Sequence, residues 1–177
     1  CDRYSSRLVQ RLLKALEAAE VDHLVVTGDL TLSSETIEFE RAARLLRPWA
    51  ERRQLTVVPG NHDVWTADAV KTSRFLRMIG PDGRGMRRPA SAYPLAVVPA
   101  PEVAVIALDS ARHGAEPYET PGCLGPPQLQ ACRELVREHA KEGRAVLLAL
   151  HHHLVLPTQR VPSDALVSRM PLADADK

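Results

Sequence analysis

Two short apolar runs constrain this chain more than any other feature. "VVTGDLT" (residues 25–31) and "VVPGNHDVW" (residues 57–65) each begin with β-branched residues and end in a glycine-marked turn carrying Asp, Asn or His. A run of four to eight such residues bounded by turn signals reads as a buried strand. A third run, "RAVLLAL", leads into His151, His152 and His153. The best metal ligands of the chain thus stand one step past the ends of strands.

The segments between these runs have helical spacing. "SSRLVQRLLKALEAAE" places Leu8, Leu12, Leu13 and Leu16 on one stripe, the period of an amphipathic helix. "SETIEFERAARLLRPWAERR" reads as a second helix, with Ser34 as its N-cap and Glu35 and Glu38 near its positive end. "TADAVKTSRFLRMIG" reads as one helix stopped by Gly80. "LAVVP" and "EVAVIALDS" read as adjacent antiparallel strands. "PPQLQACRELVREHAKEG" reads as a helix with prolines in its first turn and Gly143 just past its end. "RAVLLAL" is expected to be a buried strand. After Pro157 the periodicity is lost. Helices interleaved with apolar strands indicate an α/β layer fold with the helices outside.

The chain of 177 residues is long enough for one domain with a sizeable core. Its 23 Lys and Arg balance 22 Asp and Glu, which gives no ground for a polyanion-binding face. Arg84, Arg87 and Arg88 lie in a Gly/Pro-rich stretch and read as a solvated loop. Cys1, Cys123 and Cys132 form no CxxC pair; a disulfide framework is not expected, and a reducing, cytoplasmic setting is. No stretch approaches the ~20 apolar residues of a membrane span.

In open α/β sheets the chemistry gathers beyond the carboxyl ends of the strands. Asp29, Asn61 with His62 and Asp63, and His151 to His153 stand there, and Asp109 ends a fourth strand. Asp, Asn and His donors suit Mn, Fe or Zn better than Ca, and the set lacks the thiolates of a structural zinc site. A carboxylate can bridge two cations, and a pair of cations can hold a hydroxide and clamp a phosphoryl group. Each residue also has a structural reading. Gly28 can serve a turn alone, and Asp29 can cap the next segment. Asn61 is a common turn residue. Three consecutive histidines on an extended chain cannot all face one way. Asp109 reads as a supporting hydrogen-bonding residue, Cys132 as a small core residue, and His139 as a surface residue of its helix. Trp49 and Trp65 read as packing, with Trp65 also placed to line a cleft.

The ladder "DHLVVTGDLT … VVPGNHDV … VIALDS … LLALHHH" resembles the calcineurin-like metallophosphoesterases, most closely the bacterial branch of cyclic-nucleotide and glycerophosphodiester phosphodiesterases. The resemblance covers nearly the whole chain, and "GNHD" in this setting is its specific element. It implies an α-β-β-α sandwich and hydrolysis of a small phosphodiester by a metal-bridged hydroxide, with two Mn, Fe or Zn ions in the complete enzyme. It implies that Asp29 bridges both metals and that Asn61 and His151 bind the second, with His152 ranked after His151. It implies that His62 approaches the phosphate as acid or charge stabiliser, with Asp63 orienting it.

The sequence departs from the family at both ends. It contains neither the opening Asp-x-His nor the closing Gly-His-x-His, and it has His153 where the family has Pro. The expectation is therefore a single domain over residues 1–177, incomplete at both termini, with a partial metal site. A non-catalytic fragment or binding module of the same fold is the alternative. A nuclease is a second one, disfavoured by the neutral charge and by an aromatic content of 4%, since strand binding leans on basic grooves and stacking platforms. A small phosphodiester or phosphomonoester is the expected partner, with no nucleic acid and no membrane. Its contacts are sought in the loops Arg84 to Pro89 and Arg112 to Gly125.

Overall fold

A computed structural model describes residues 6–87, 92–114 and 122–153 of the chain. The elements run α1 (Ser6–Ala18), β1 (Leu24–Val26), α2 (Thr36–Glu51), β2 (Leu55–Val57), α3 (Ala67–Lys71), α4 (Arg74–Met78), β3 (Leu95–Ala100), β4 (Val103–Ala107), α5 (Pro126–Lys141) and β5 (Ala145–Ala149), with a 3₁₀ turn at Asn61–Val64 between β2 and α3. This is the expected mixed α/β architecture. None of the described helices is long and apolar enough to cross a membrane. Both loops in which substrate contacts are sought fall partly outside the described residues, as does everything beyond His153.

The strands form two sheets. β1 and β2 pair in parallel, with Val25 opposite Thr56. β4 lies between β3, antiparallel to it, and β5, parallel to it. Alternation along β4 puts Val105 and Ala107 on one face and Ile106 on the other. The first face joins the main core, with Val57 and Val58, Phe39, Leu46 and Trp49 of α2, and Phe75 and Ile79. The second packs with Leu108, Leu124 and Cys132 beneath α5. Helices therefore cover opposite faces, and the core joins both sheets.

Several local expectations are corrected. β5 is not a buried strand: Leu147 and Leu148 are 56% and 45% exposed. Among the described residues β5 is paired on one side only, which makes it an edge strand, and of its residues only Ala149 is buried. The segment expected as one helix before Gly80 is two. Ser73 adopts φ 50, and the Thr72 hydroxyl donates to the Asp68 carbonyl at 2.7 Å, which closes α3 early. Gly80, at φ 66, does end α4. His139 is buried, with its Nδ1 3.1 Å from Arg144 Nη1.

Ser34 is not the N-cap of α2; Glu35 is. Ser34 is buried, and its hydroxyl is engaged with Thr66 instead. The capping carboxylate is that of Glu38, which accepts the N–H groups of Leu32 (3.0 Å), Ser33 (3.1 Å) and Glu35 (2.9 Å). Burial pushes its pKa up, but these donors and the Ser33 hydroxyl outweigh that and hold it below 4.5. The stability this supplies is full above that ordinary value and is lost as pH falls through the lowered folded value. Glu38→Gln is expected to lower the thermal midpoint at neutral pH. Its deficit against the parent should shrink on titration below 4.5.

Trp49 anchors the core at 1% exposure, with Arg52 stacked 4.9 Å from its ring. Its indole Nε1 has no hydrogen-bond partner among the described residues. Trp49→Ala is expected to cost about 3–5 kcal/mol in chemical unfolding. Trp49→Phe should cost much less, because it removes an unsatisfied polar group along with the lost volume.

Candidate metal centre

The two turns of the opening motifs touch backbone to backbone. After β1 the chain turns through Gly28 at φ 94 and Asp29 at φ 56. A Cβ on Gly28 would lie 2.3 Å from Gly60 N. A Cβ on Gly60 would lie 2.2 Å from Asp29 Oδ1. Gly28 is needed because the other turn's backbone fills the space beside it, and Gly60 because the Asp29 carboxylate does. Asp29 Oδ1 in turn accepts the backbone N–H of His62 at 3.1 Å.

β5 delivers the third element. The residues just past its end bring His151 onto the same spot, with Nδ1 2.8 Å from the Thr27 carbonyl. A carbonyl only accepts, so Nδ1 carries a proton, and in the neutral form of the ring Nε2 is the bare lone pair. That nitrogen lies 2.9 Å from Asn61 Oδ1 and 3.6 Å from Asp29 Oδ1. With the ring in that form, acceptors from three strand ends converge with no donor between them, an arrangement that a cation satisfies. The carbonyl that fixes the tautomer is the usual outer partner of a ligating imidazole. Among the described residues no group of three or more His, Cys, Asp and Glu could hold a metal ion. The set found here has two such residues and completes itself with the neutral oxygen of Asn61. Its one nitrogen and two oxygens make a donor set that fits a divalent metal cation.

The other predicted residues lie around this point. His152, ranked after His151 as a ligand, is engaged with Ser110 instead. It is 3% exposed, with Nδ1 2.9 Å from Ser110 Oγ, and its ring sits edge-on to His151 at 5.0 Å. Gly122 lies against it so closely that a Cβ would come within 2.4 Å of its ring. The Nε2 of His153 is buried without a hydrogen-bond partner among the described residues. His62 stands beside the centre. Its Nδ1 is 2.7 Å from the Leu32 carbonyl, and its ring stacks on Trp65.

Asp63 is fully buried. Its Oδ2 accepts the N–H of Gly60 at 2.9 Å, and its Oδ1 accepts the N–H of Thr31 at 3.0 Å and is 3.1 Å from the Thr31 hydroxyl. The carboxylate thus binds the second turn to the first; the His62 ring nitrogen is held by Leu32 instead. Burial first, and the charge of Asp29 as a smaller contribution, push the Asp63 pKa up to about 6 against these donors.

Sequence reasoning passed over Thr31, whose hydroxyl also lies 2.9 Å from the His62 carbonyl and accepts the Ser34 N–H at 3.2 Å. Its position two residues after Asp29, level with Asp63 in the other turn, was the available signal. Thr31→Val leaves buried acceptors and the Ser34 N–H short of a partner and is expected to cost about 1–3 kcal/mol. Thr31→Ser should recover most of that in urea unfolding.

Asp109 is held in a supporting frame. Gln128 accepts its N–H at 2.8 Å and donates to its carbonyl at 2.8 Å, while its Oδ1 accepts the Ala111 N–H at 2.9 Å. Burial raises its carboxyl, with Arg112 opposing.

No curated protein matches this sequence. The sequence profile of the calcineurin-like phosphoesterases matches residues 4–169, nearly the whole chain. With that match joined to the fold and to the converging strand-end donors, the chain belongs to the calcineurin-like phosphoesterase family.

Proposed function

We propose that this chain hydrolyses a small phosphodiester, with Asp29, Asn61 and His151 holding metal and His62 serving the leaving group. The family points to metal-dependent phosphoester hydrolysis. The observation that carries the finer assignment is the approach of His151 Nε2 to Asn61 Oδ1 and Asp29 Oδ1 while Nδ1 is committed to Thr27. When bound, such cations polarise phosphoryl oxygens and lower the pKa of a coordinated water.

The chain's own residues supply the rest. Asp29 places negative charge at the junction of the two turns and fixes the His62 backbone. Asn61 adds an oxygen without adding charge. His62 has its Nδ1 proton directed at Leu32, so its Nε2 is the nitrogen able to hand a proton to a departing alkoxide. The net reaction adds water across one P–O ester bond, and the products are a phosphomonoester and an alcohol.

The test is metal content by mass spectrometry on the chain purified without chelator and reloaded with Mn, followed by turnover of bis(4-nitrophenyl) phosphate and 4-nitrophenyl phosphate. Retained Mn with faster turnover of the diester supports the assignment. Retained Mn with neither ester cleaved would make the chain a binding module of this fold. No retained Mn would remove the ligand assignment.

A further inference from the structure

We infer that Trp65 is a positioning residue, which together with the Leu32 carbonyl clamps the His62 imidazole in one orientation; this rests on the reading of His62 as the leaving-group acid. Three constraints act on His62. Its backbone N–H is tied to Asp29 Oδ1 at 3.1 Å. Its ring Nδ1 donates to the Leu32 carbonyl at 2.7 Å, which disfavours a flipped ring because a ring carbon would then face the carbonyl. Its face lies against Trp65 with centroids 4.9 Å apart and planes within 3°. The first constraint fixes the backbone, the second fixes the rotation of the ring, and the third fixes the plane in which it can lie. What remains is a single direction for Nε2.

The partners are themselves held. The Leu32 side chain is 57% exposed and contributes little packing, yet its peptide is gripped by the Glu38 carboxylate through the Leu32 and Ser33 N–H groups. The Leu32 carbonyl is therefore aimed from α2. Trp65 is only partly buried, whereas the core tryptophan of this chain is Trp49. A parallel stack at this distance is the offset geometry in which two aromatic faces attract. An imidazole free to rotate would present Nε2 to the leaving oxygen only part of the time, and a small misplacement of a reacting group is costly in rate.

The experiment compares Trp65→Leu, Trp65→Phe, His62→Ala and the double variant His62→Ala/Trp65→Leu in the Mn-loaded full chain. Turnover of bis(4-nitrophenyl) phosphate is measured beside Mn content, and the NMR shifts of the His62 ring protons are read on the metal-free chain. The clamp predicts that Trp65→Leu moves those protons downfield, by loss of the indole ring current, and lowers kcat about tenfold with KM and Mn content unchanged. Trp65→Phe should restore most of kcat, and Trp65→Leu should add nothing in the His62→Ala background. Unchanged ring-proton shifts in Trp65→Leu would overturn the stack. An equal loss from Trp65→Leu with and without His62 would overturn its action through His62. If His62→Ala itself left kcat unchanged, the leaving-group reading of His62 would fall, a result distinct from failure of the clamp.

Discussion

Asp29→Ala is expected to abolish Mn retention and to lower phosphodiester turnover by about a thousandfold or more, since metal stabilisation of transition-state charge amounts to several kcal/mol. Asp29 is the one carboxylate in the converging set, and its Oδ1 lies within 3.6 Å of His151 Nε2. Its loss also strands the His62 N–H that it accepts. The informative companion is Asp29→Asn. Asn tolerates the left-handed backbone at φ 56 better than Ala does, and it keeps an oxygen for His62 while losing the charge. The Asn variant should therefore stay close to the parent in thermal midpoint but lose Mn. Metal analysis and calorimetry on both variants separate charge from fold. Full Mn retention in Asp29→Asn would show that the carboxylate charge is not what binds.

The second large effect is expected at Gly28. Gly28→Ala should destabilise the chain by roughly 2–5 kcal/mol, adding left-handed strain to a backbone clash. The Cβ would meet Gly60 N at 2.3 Å and Pro59 C at 2.8 Å, and neither can move as a flexible side chain would. Because Asp29 and Asn61 sit on the two turns being forced apart, metal affinity should fall with stability. Gly143 provides the control. It has a similar positive φ of 77, but nothing lies within 4 Å of its would-be Cβ. Gly143→Ala should cost only the conformational share, about 1 kcal/mol, and leave the metal centre intact. Denaturant unfolding of the two variants measures the difference. Equal costs would mean that the contact between the turns is not tight.

The reach of the sequence differs from residue to residue. The strand runs before Asp29 and Asn61 were legible because β-branched residues followed by Gly and Asx specify strand and turn within a few residues. Helix α5 was legible at both ends, since Pro126 and Pro127 start it and Gly143 closes it. The pairing of β3 with β4 followed from their closeness in the chain. Ser34, Ser73 and His139 depart from their local patterns because their settings depend on distant residues or on competing hydrogen bonds. Ser34 serves Thr66, 32 positions away, and His139 turns inward against Arg144.

The donor types and their placement past strand ends were written in the order of residues, because short apolar runs and glycine turns are local. The meeting of Asp29, Asn61 and His151 was not local. His151 reaches Thr27 across 124 positions and Asn61 across 90. The tautomer of His151, the direction of the His62 ring and the part played by Thr31 and Asp63 were likewise settled only when the strand ends packed together. Each depends on hydrogen bonds between segments, and chain order carries no information about which carbonyl or carboxylate will stand opposite a given nitrogen.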